Sequence, residues 1–146
     1  MTLTPVNAGW IEVICGSMFS GKTEELIRRL RRAQIAQMSI AIFKPKIDSR
    51  FSEGHIVSHN HIKMESHIID EPNDILDIAK EHEVIGIDEA QFFDNSLINT
   101  CKELANSGKR VVVAGLDTDY RGLPFGPMPA IMCEADYLDK LRAICI

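Results

Sequence analysis

The sequence has little of three things: cysteine, net positive charge and long apolar runs. Its four cysteines are too sparse in 146 residues to form a disulfide framework. A net charge of −5 disfavours a surface that follows a nucleic-acid backbone, because such surfaces are basic. No apolar stretch reaches the roughly 18 residues of a membrane span, and residues 1–7 lack the basic and apolar segments of a signal peptide. These absences predict a cytoplasmic protein with free thiols that binds neither a membrane nor a nucleic acid.

The remaining composition is that of a globular protein. Hydrophobic residues make up 45% of the chain and charged residues 25%, and the length suits one domain with a sizeable core. No internal repeat or low-complexity linker divides the sequence. We therefore expect one main domain over residues 10–133, preceded by a short tail at residues 1–9.

The most informative feature is the octapeptide GSMFSGKT, which fits the phosphate-loop pattern G-x-x-x-x-G-K-[ST]. It follows an apolar run at 11–15 and leads into an amphipathic run, as a strand, loop and helix require. Glycines let the backbone curl until its N–H groups point at phosphate oxygens, while Lys22 reaches the β- and γ-phosphates and Thr23 binds Mg²⁺. The predicted nucleotide-binding residues of this loop are Gly16, Ser17, Met18, Phe19, Ser20, Gly21, Lys22 and Thr23.

Apolar runs that alternate with helical patterns predict an α/β fold. The predicted buried strands are 11–15, 39–43, 84–87 and 111–116, and the predicted helices are 24–36, 73–82 and 97–108. Strands alternating with helices form right-handed βαβ units, so we expect a mainly parallel sheet with helices on both faces, as in RecA-like P-loop NTPases.

Smaller expectations accompany this pattern. Asn73 is placed as the N-cap of its helix. The first helix should carry the ion pairs Glu24–Arg28 and Glu25–Arg29 on a solvated face, rather than a basic binding patch. Residues 47–69 support only a loop or a small hairpin, and residues 134–146 fit either a short helix or a strand.

The second chemical element is Asp88-Glu89, directly after the third predicted strand. Ligands of parallel α/β sheets bind beyond the carboxyl ends of the strands, where the phosphate loop and this acidic pair both fall. An acidic residue there holds Mg²⁺ opposite the threonine of the loop, which assigns Asp88 to the metal. Glu89 could take a proton from an attacking hydroxyl or orient a water molecule. A kinase, an ATPase switch in which Glu89 activates water, and a nucleotide sensor therefore all remain open.

Three motifs together resemble the type II thymidine kinases. They are GSMFSGKT at 16–23, IDEAQFF at 87–93 and AGLDTDYRGLPFG at 114–126, and the likeness runs from about Trp10 to Cys145. The resemblance implies transfer of the γ-phosphoryl group of ATP, with Mg²⁺, to the 5′-hydroxyl of thymidine and also of deoxyuridine. It further implies a role in nucleotide salvage, feedback inhibition by dTTP and a homotetramer.

The resemblance also implies roles for individual residues. Glu89 would be the general base, and Lys22 and Arg50 would stabilise the charge that develops during transfer. Asp48 would join Thr23 and Asp88 in the magnesium shell. The nucleotide contacts after the third strand would be Asp88, Glu89, Ala90 and Gln91. The thymidine pocket would be lined by Met18, Phe92, Leu116, Tyr120 and Phe125, for which simple core packing is the alternative without the family.

The family continues beyond this chain into a zinc-bound segment with a lasso loop that closes over the nucleoside. By this resemblance residues 134–146 begin that domain but leave it incomplete, and Cys145 is a zinc ligand whose partners lie beyond residue 146. Cys133 is too far from Cys145 to supply the second ligand of a short zinc-binding pair. Histidines 55, 59, 61 and 67 are interpreted as loop residues and not as a metal site.

Overall fold

A parallel β-sheet forms the centre of the protein in this computed structural model, which describes residues 8–18, 20–46, 55–57 and 63–142. The strands in these ranges are β1 (Trp10–Gly16), β2 (Ile40–Pro45), β3 (His55–Val57), β4 (Lys63–Glu65), β5 (His67–Ile69), β6 (Val84–Ile87), β7 (Arg110–Leu116) and β8 (Tyr137–Leu141). The helices are α1 (Lys22–Ile35), α2 (Asn73–Ala79), α3 (Ser96–Asn106) and α4 (Met128–Glu134), with a single 3₁₀ turn at Ala90–Phe92.

Six of these strands form one sheet in the order β5-β2-β6-β7-β1-β8, and the described strand pairs within it are all parallel. β3 and β4 form a separate antiparallel hairpin, which is the small hairpin that residues 47–69 allowed. The same segment also supplies β5, which joins the main sheet beside β2, and this was not predicted. The predicted α/β class with a mainly parallel sheet is confirmed. No helix in the described ranges is both long and apolar enough to cross a membrane.

Apolar side chains pack on both faces of the sheet because neighbouring residues of a strand point in opposite directions. In β1, Ile14 joins the cluster under α1, whereas Val13 and Cys15 join the cluster under the other three helices. Leu30 of α1 is fully buried and lies so close to β6 that a Cβ at Gly86 would come within 2.7 Å of it. Burying one such leucine contributes about 1.5–3 kcal/mol.

An ion-pair network ties α1 to the sheet. Glu25 accepts from Arg29, as predicted, at 2.8 Å, and also from Arg28 at 2.6 Å. Arg29 continues to Glu12 of β1 at 3.0 Å and to Asp139 of β8 at 2.6 Å. The charged face of α1 is therefore partly a contact with the sheet and not simply solvated.

Three local expectations were wrong. Pro72, and not Asn73, occupies the N-cap of α2, no side chain caps this helix, and the helix ends at Ala79 instead of near residue 82. Proline suits the start of a helix because its φ is already close to the helical value. The predicted first helix begins two residues earlier than expected, at Lys22, and its N-cap is Gly21 in a left-handed conformation.

The segment after residue 133 belongs to the sheet at least as far as Leu141. β8 pairs in parallel with β1 from Glu12↔Tyr137 to Gly16↔Leu141, and Asp136 accepts a hydrogen bond from the N–H of Ile11 at 2.9 Å. Of the two alternatives for this segment, the strand is the one formed. The boundary placed at 133/134 therefore separates an edge strand from its own sheet.

Candidate active site

Three loops meet at the carboxyl edge of the sheet. β1 runs into the phosphate loop, β6 into Asp88 and Glu89, and β7 into the segment that starts at Leu116. β7 lies between the other two strands, with Gly16 paired to Leu116 on one side. The sheet order therefore brings together three segments that are far apart in sequence.

The phosphate loop has the backbone geometry that its glycines permit. Gly16 and Gly21 have φ values of 143° and 88°, and a Cβ at Gly16 would come within 2.2 Å of the carbonyl oxygen of Leu141. The ammonium of Lys22 donates to the carbonyl of Ser17 at 2.7 Å, which places it across the loop. Burial lowers the pKa of Lys22, and the negative charges of Glu89 and Asp88 partly offset this effect. Phe19 lies outside the described residues.

Thr23 and Asp88 lie side by side as the metal hypothesis requires. The hydroxyl of Thr23 donates to the two carboxylate oxygens of Asp88 at 3.4 and 3.3 Å. Burial raises the pKa of Asp88 to about 7, and the neighbouring charge of Glu89 raises it further. A hydroxyl and a carboxylate are the hard oxygen ligands that Mg²⁺ binds, so this pair fits the ion. A bound cation would also compensate a carboxylate that is costly to ionise here.

Glu89 has an unusual backbone and a dedicated partner. Its φ and ψ are 52° and 41°, a left-handed conformation that non-glycine residues seldom adopt. Gln91 donates from Nε2 to Glu89 Oε2 at 2.7 Å, and its Oε1 accepts from the backbone N–H of Leu116 at 3.0 Å. Gln91 is only 2% exposed. The sequence motif identified both residues, but it gave no sign of this bridge.

The residues expected to line a nucleoside pocket are mostly outside the core. Met18, Phe92 and Tyr120 are 60%, 40% and 96% exposed, so core packing does not explain them. Phe92 and Phe125 contact each other edge to face, with ring centroids 5.5 Å apart. The ring of Tyr120 lies under the guanidinium of Arg121 at 5.6 Å. The structure thus brings Phe92 and Phe125 together and leaves Tyr120 on the surface of its loop.

Sequence reasoning missed an ion pair beside the phosphate loop. Lys140 of β8 lies 2.8 Å from Asp117, the residue after β7, so the pair spans the end of β1. Burial alone would raise the pKa of Asp117, but the hydrogen bond and charge of Lys140 outweigh it and lower the pKa. Nothing in either local sequence signals the contact, because it depends on β8 joining the sheet.

Several expected ligands cannot be placed. Asp48, Arg50 and Cys145 lie outside the described residues. Within the ranges described, no group of three or more histidine, cysteine or acidic side chains could hold a metal ion. Cys15 and Cys101 are buried free thiols and Cys133 is an exposed one. The zinc ligand at Cys145 therefore stays a prediction.

Solved structures similar to this one share its fold at low sequence identity. The genome-packaging NTPase B204 of Sulfolobus turreted icosahedral virus 2, in complex with ATP-gammaS, has a TM-score of 0.55 at 17% identity, covering 89% of this chain and 73% of that one. Domain III of the Thermotoga maritima replication initiation protein DnaA has a TM-score of 0.52 at 16% identity, covering 90% of this chain and 54% of that one. These likenesses concern the fold alone.

The phosphate loop, the parallel sheet and the acidic pair at its edge define a P-loop NTPase fold. Within that class the sequence is more specific. The family described as thymidine kinase matches residues 9–146, nearly the whole chain. The chain belongs to the thymidine kinase family.

Curated relatives agree with this assignment. The thymidine kinase of Rhodothermus sp. is 58% identical over 139 residues, covering 95% of this chain and 65% of the relative. The thymidine kinase of Bacteroides fragilis is 58% identical over 138 residues, covering 94% of this chain and 69% of the relative. The chain thus spans about two thirds of the length of these relatives.

Proposed function

We propose that the protein is an ATP-dependent thymidine kinase, which transfers the γ-phosphoryl group of ATP to the 5′-hydroxyl of thymidine. The observation that carries the proposal is the position of Glu89. Its carboxylate lies at the same edge of the sheet as Lys22 and the Thr23–Asp88 pair. The 3₁₀ turn that follows Glu89 ends at Phe92. The proposed general base, Glu89, is thus at the same edge of the sheet as the proposed phosphate-binding residue, Lys22, and is close in sequence to the exposed aromatic residue Phe92.

The residues divide the reaction between them. The N–H groups of the phosphate loop and the ammonium of Lys22 would bind the phosphates and hold the γ-phosphoryl group in line with the acceptor. Thr23 and Asp88 would hold Mg²⁺, which supplies charge neutralisation at the phosphates when it is bound. Glu89 would accept the proton of the 5′-hydroxyl as the oxygen attacks phosphorus. Arg50 and Asp48 remain predicted contributors from the family resemblance.

The acceptor would lie against the aromatic pair. Phe92 and Phe125 present an edge-to-face arrangement with exposed surface, which can hold a planar pyrimidine base through apolar contact. Leu116, the last residue of β7, and Met18 of the phosphate loop would complete the pocket, as the family resemblance implies. Deoxyuridine, which lacks only a methyl group, would fit the same contacts.

Dependence of nucleotide turnover on an added nucleoside tests the proposal. The full-length protein should release ADP from Mg-ATP only when thymidine is present, and dTMP should form in equal amount. An ATPase switch in which Glu89 activates water would release ADP at the same rate without thymidine, and that result would refute the kinase assignment.

Substitution of the proposed general base, Glu89, completes this test. Glu89→Gln should lower kcat by about 10²- to 10⁴-fold while ATP still binds, since a general base contributes about that much. Glu103→Gln is the matched control, because Glu103 is an exposed glutamate of α3, which is not among the three segments that form the candidate site. Unchanged kcat in Glu89→Gln would assign the base elsewhere.

Structural zinc through Cys145, closure of a lasso loop over the nucleoside, a homotetramer, inhibition by dTTP and a cytoplasmic location are proposals that rest on the family. A thymine ring that contacts the protein on only one face keeps its hydrogen bonds with water and gains little free energy from binding. We therefore expect residues 1–146 alone to bind ATP but to bind thymidine poorly, which calorimetry on the two chain lengths would measure.

A further inference from the structure

The buried amide of Gln91 uses both of its ends at the candidate active site. We propose that Gln91 is a positioning residue that holds the carboxylate of Glu89 in place for proton transfer. This inference rests on the proposed role of Glu89 as the base. It also differs from the family-based expectation that Gln91 contacts the nucleotide.

The hydrogen bonds of Gln91 have a defined direction. Its Nε2 can only donate, and it donates to Glu89 Oε2 at 2.7 Å, whereas its Oε1 can only accept, and it accepts from Leu116 N at 3.0 Å. The contact with the main-chain N–H thus fixes which end of the amide faces Glu89. A carboxylate held at one oxygen rotates less, so its other oxygen keeps a constant position.

Close packing prevents the amide from moving. A Cβ at Gly115 would lie 2.9 Å from both Gln91 Oε1 and the sulfur of Met128, and a Cβ at Gly126 would lie 2.4 Å from the carbonyl oxygen of Gln91. Only glycine leaves room at these two positions. Gln91 therefore packs closely against Gly115 of β7 and against Gly126 in the loop that precedes α4.

Glu89 needs such support because of the charges around it. The ammonium of Lys22 interacts electrostatically with Glu89 and with Asp88, and Asp88 also repels Glu89. These forces draw the carboxylate of Glu89 towards the phosphate loop and away from its neighbour. The bond from Gln91 gives one oxygen of this carboxylate a fixed partner.

The same amide connects the base to the proposed acceptor pocket. Leu116 is the last residue of β7 and starts the loop that carries Phe125. Because one side chain bonds both Glu89 and Leu116, the distance between the base and this loop is fixed by a rigid link. Proton transfer requires that kind of placement to within a fraction of an ångström.

Two substitutions test the proposal in the full-length protein. Gln91→Met keeps the approximate volume and removes both hydrogen bonds, whereas Gln91→Glu keeps the acceptor for Leu116 and replaces the donor with a carboxylate oxygen, which repels Glu89 when both groups are ionised. Both should lower kcat by about 10- to 100-fold, the usual effect of losing one hydrogen bond to a charged group. The KM for ATP should change less than about threefold. Thr100→Val is the control, since Thr100 is a similarly buried residue whose hydroxyl bonds within α3.

A double-mutant cycle separates positioning from simple structural support. In the Glu89→Gln background, Gln91→Met should lower kcat by less than about twofold, because the base it serves is already gone. Multiplicative loss in the double variant, or a raised KM for ATP with unchanged kcat, would overturn the proposal. Circular dichroism on each variant verifies the fold, and Gln91→Glu gives the decision if Gln91→Met does not fold.

The cycle remains informative if the proposed function fails. Should wild-type turnover prove independent of thymidine, the kinase assignment is refuted by that measurement alone. Glu89 would then act on water, and the same comparison of kcat values still reports whether Gln91 acts through Glu89. Wild-type kcat in both Gln91 variants would refute the positioning role for either reaction.

Discussion

Removing the charge of Asp88 should stabilise the nucleotide-free protein. In the folded state, burial and then the charge of Glu89 raise the pKa of Asp88 from 3.8 to about 7. Between these values the folded state keeps a proton that the unfolded chain has lost, so stability falls as the pH rises. At 1.36 kcal/mol for each pH unit, the full cost at pH 8 is about 4 kcal/mol. Allowing for relaxation around the buried charge, we expect Asp88→Asn to raise the free energy of unfolding by about 2–4 kcal/mol at pH 8.

Asparagine is a suitable replacement because it can keep the local contacts. Its side-chain oxygen can accept from the N–H of Glu89, as Asp88 does at 3.0 Å, and its amide can donate to Thr23. The change therefore removes charge with little loss of hydrogen bonding. Adding Mg-ATP should reverse the order of stability, because only the wild type has a carboxylate for the cation.

Thermal unfolding between pH 4 and pH 8, without nucleotide, measures the effect. The gain in Tm should be near zero at pH 4 and grow to roughly 5–15 °C at pH 8. Asp117→Asn is the matched control with the opposite sign: Lys140 outweighs burial and lowers the pKa of Asp117, so its charge stabilises above about pH 4. A Tm difference for Asp88→Asn that is independent of pH, or a loss of stability at pH 8, would refute the reasoning.

Three further substitutions test separate parts of the structure. Lys22→Ala should leave the fold intact and abolish most Mg-ATP-dependent turnover, and near-normal turnover would remove the lysine from the reaction. Gly115→Ala should destabilise by about 1–3 kcal/mol in denaturant unfolding and lower kcat, since its Cβ would displace Gln91; full activity would mean that this packing is not needed. Glu12→Gln should cost about 2 kcal/mol because the partly buried Arg29 and Arg110 each lose a charged acceptor, and the loss should not shrink in high salt as a surface pair's would.

The central strands could be predicted because their sequences carry the signal themselves. Residues 84–87 and 111–116 are continuous apolar runs, as strands covered on both faces must be, and they form β6 and most of β7. The edge strand β8 carries no such signal. Its residues are exposed except at Leu141, so only pairing with β1 makes it a strand.

The local parts of the active site could be predicted for a similar reason. A phosphate loop is a contiguous motif, so Lys22 and Thr23 followed from eight residues, and Asp88 followed from its place at the end of a strand. Contacts between distant segments could not be predicted. The bonds from Gln91 to Leu116 and from Lys140 to Asp117 join residues more than 20 positions apart.

The register between β6 and β7 explains how these distant contacts form. Ile87, the last residue of β6, pairs with Val113, whereas β7 continues for three more residues to Leu116 beside the end of β1. This leaves a step of roughly 10 Å at the carboxyl edge of β6. The 3₁₀ turn Ala90–Phe92 follows the end of β6, and from this turn Gln91 reaches the N–H of Leu116 at the end of β7. A shift of one residue in this register would turn the side chains to the opposite face, and no apolar run specifies it. The chemistry of the site therefore depends on strand register as much as on the motifs themselves.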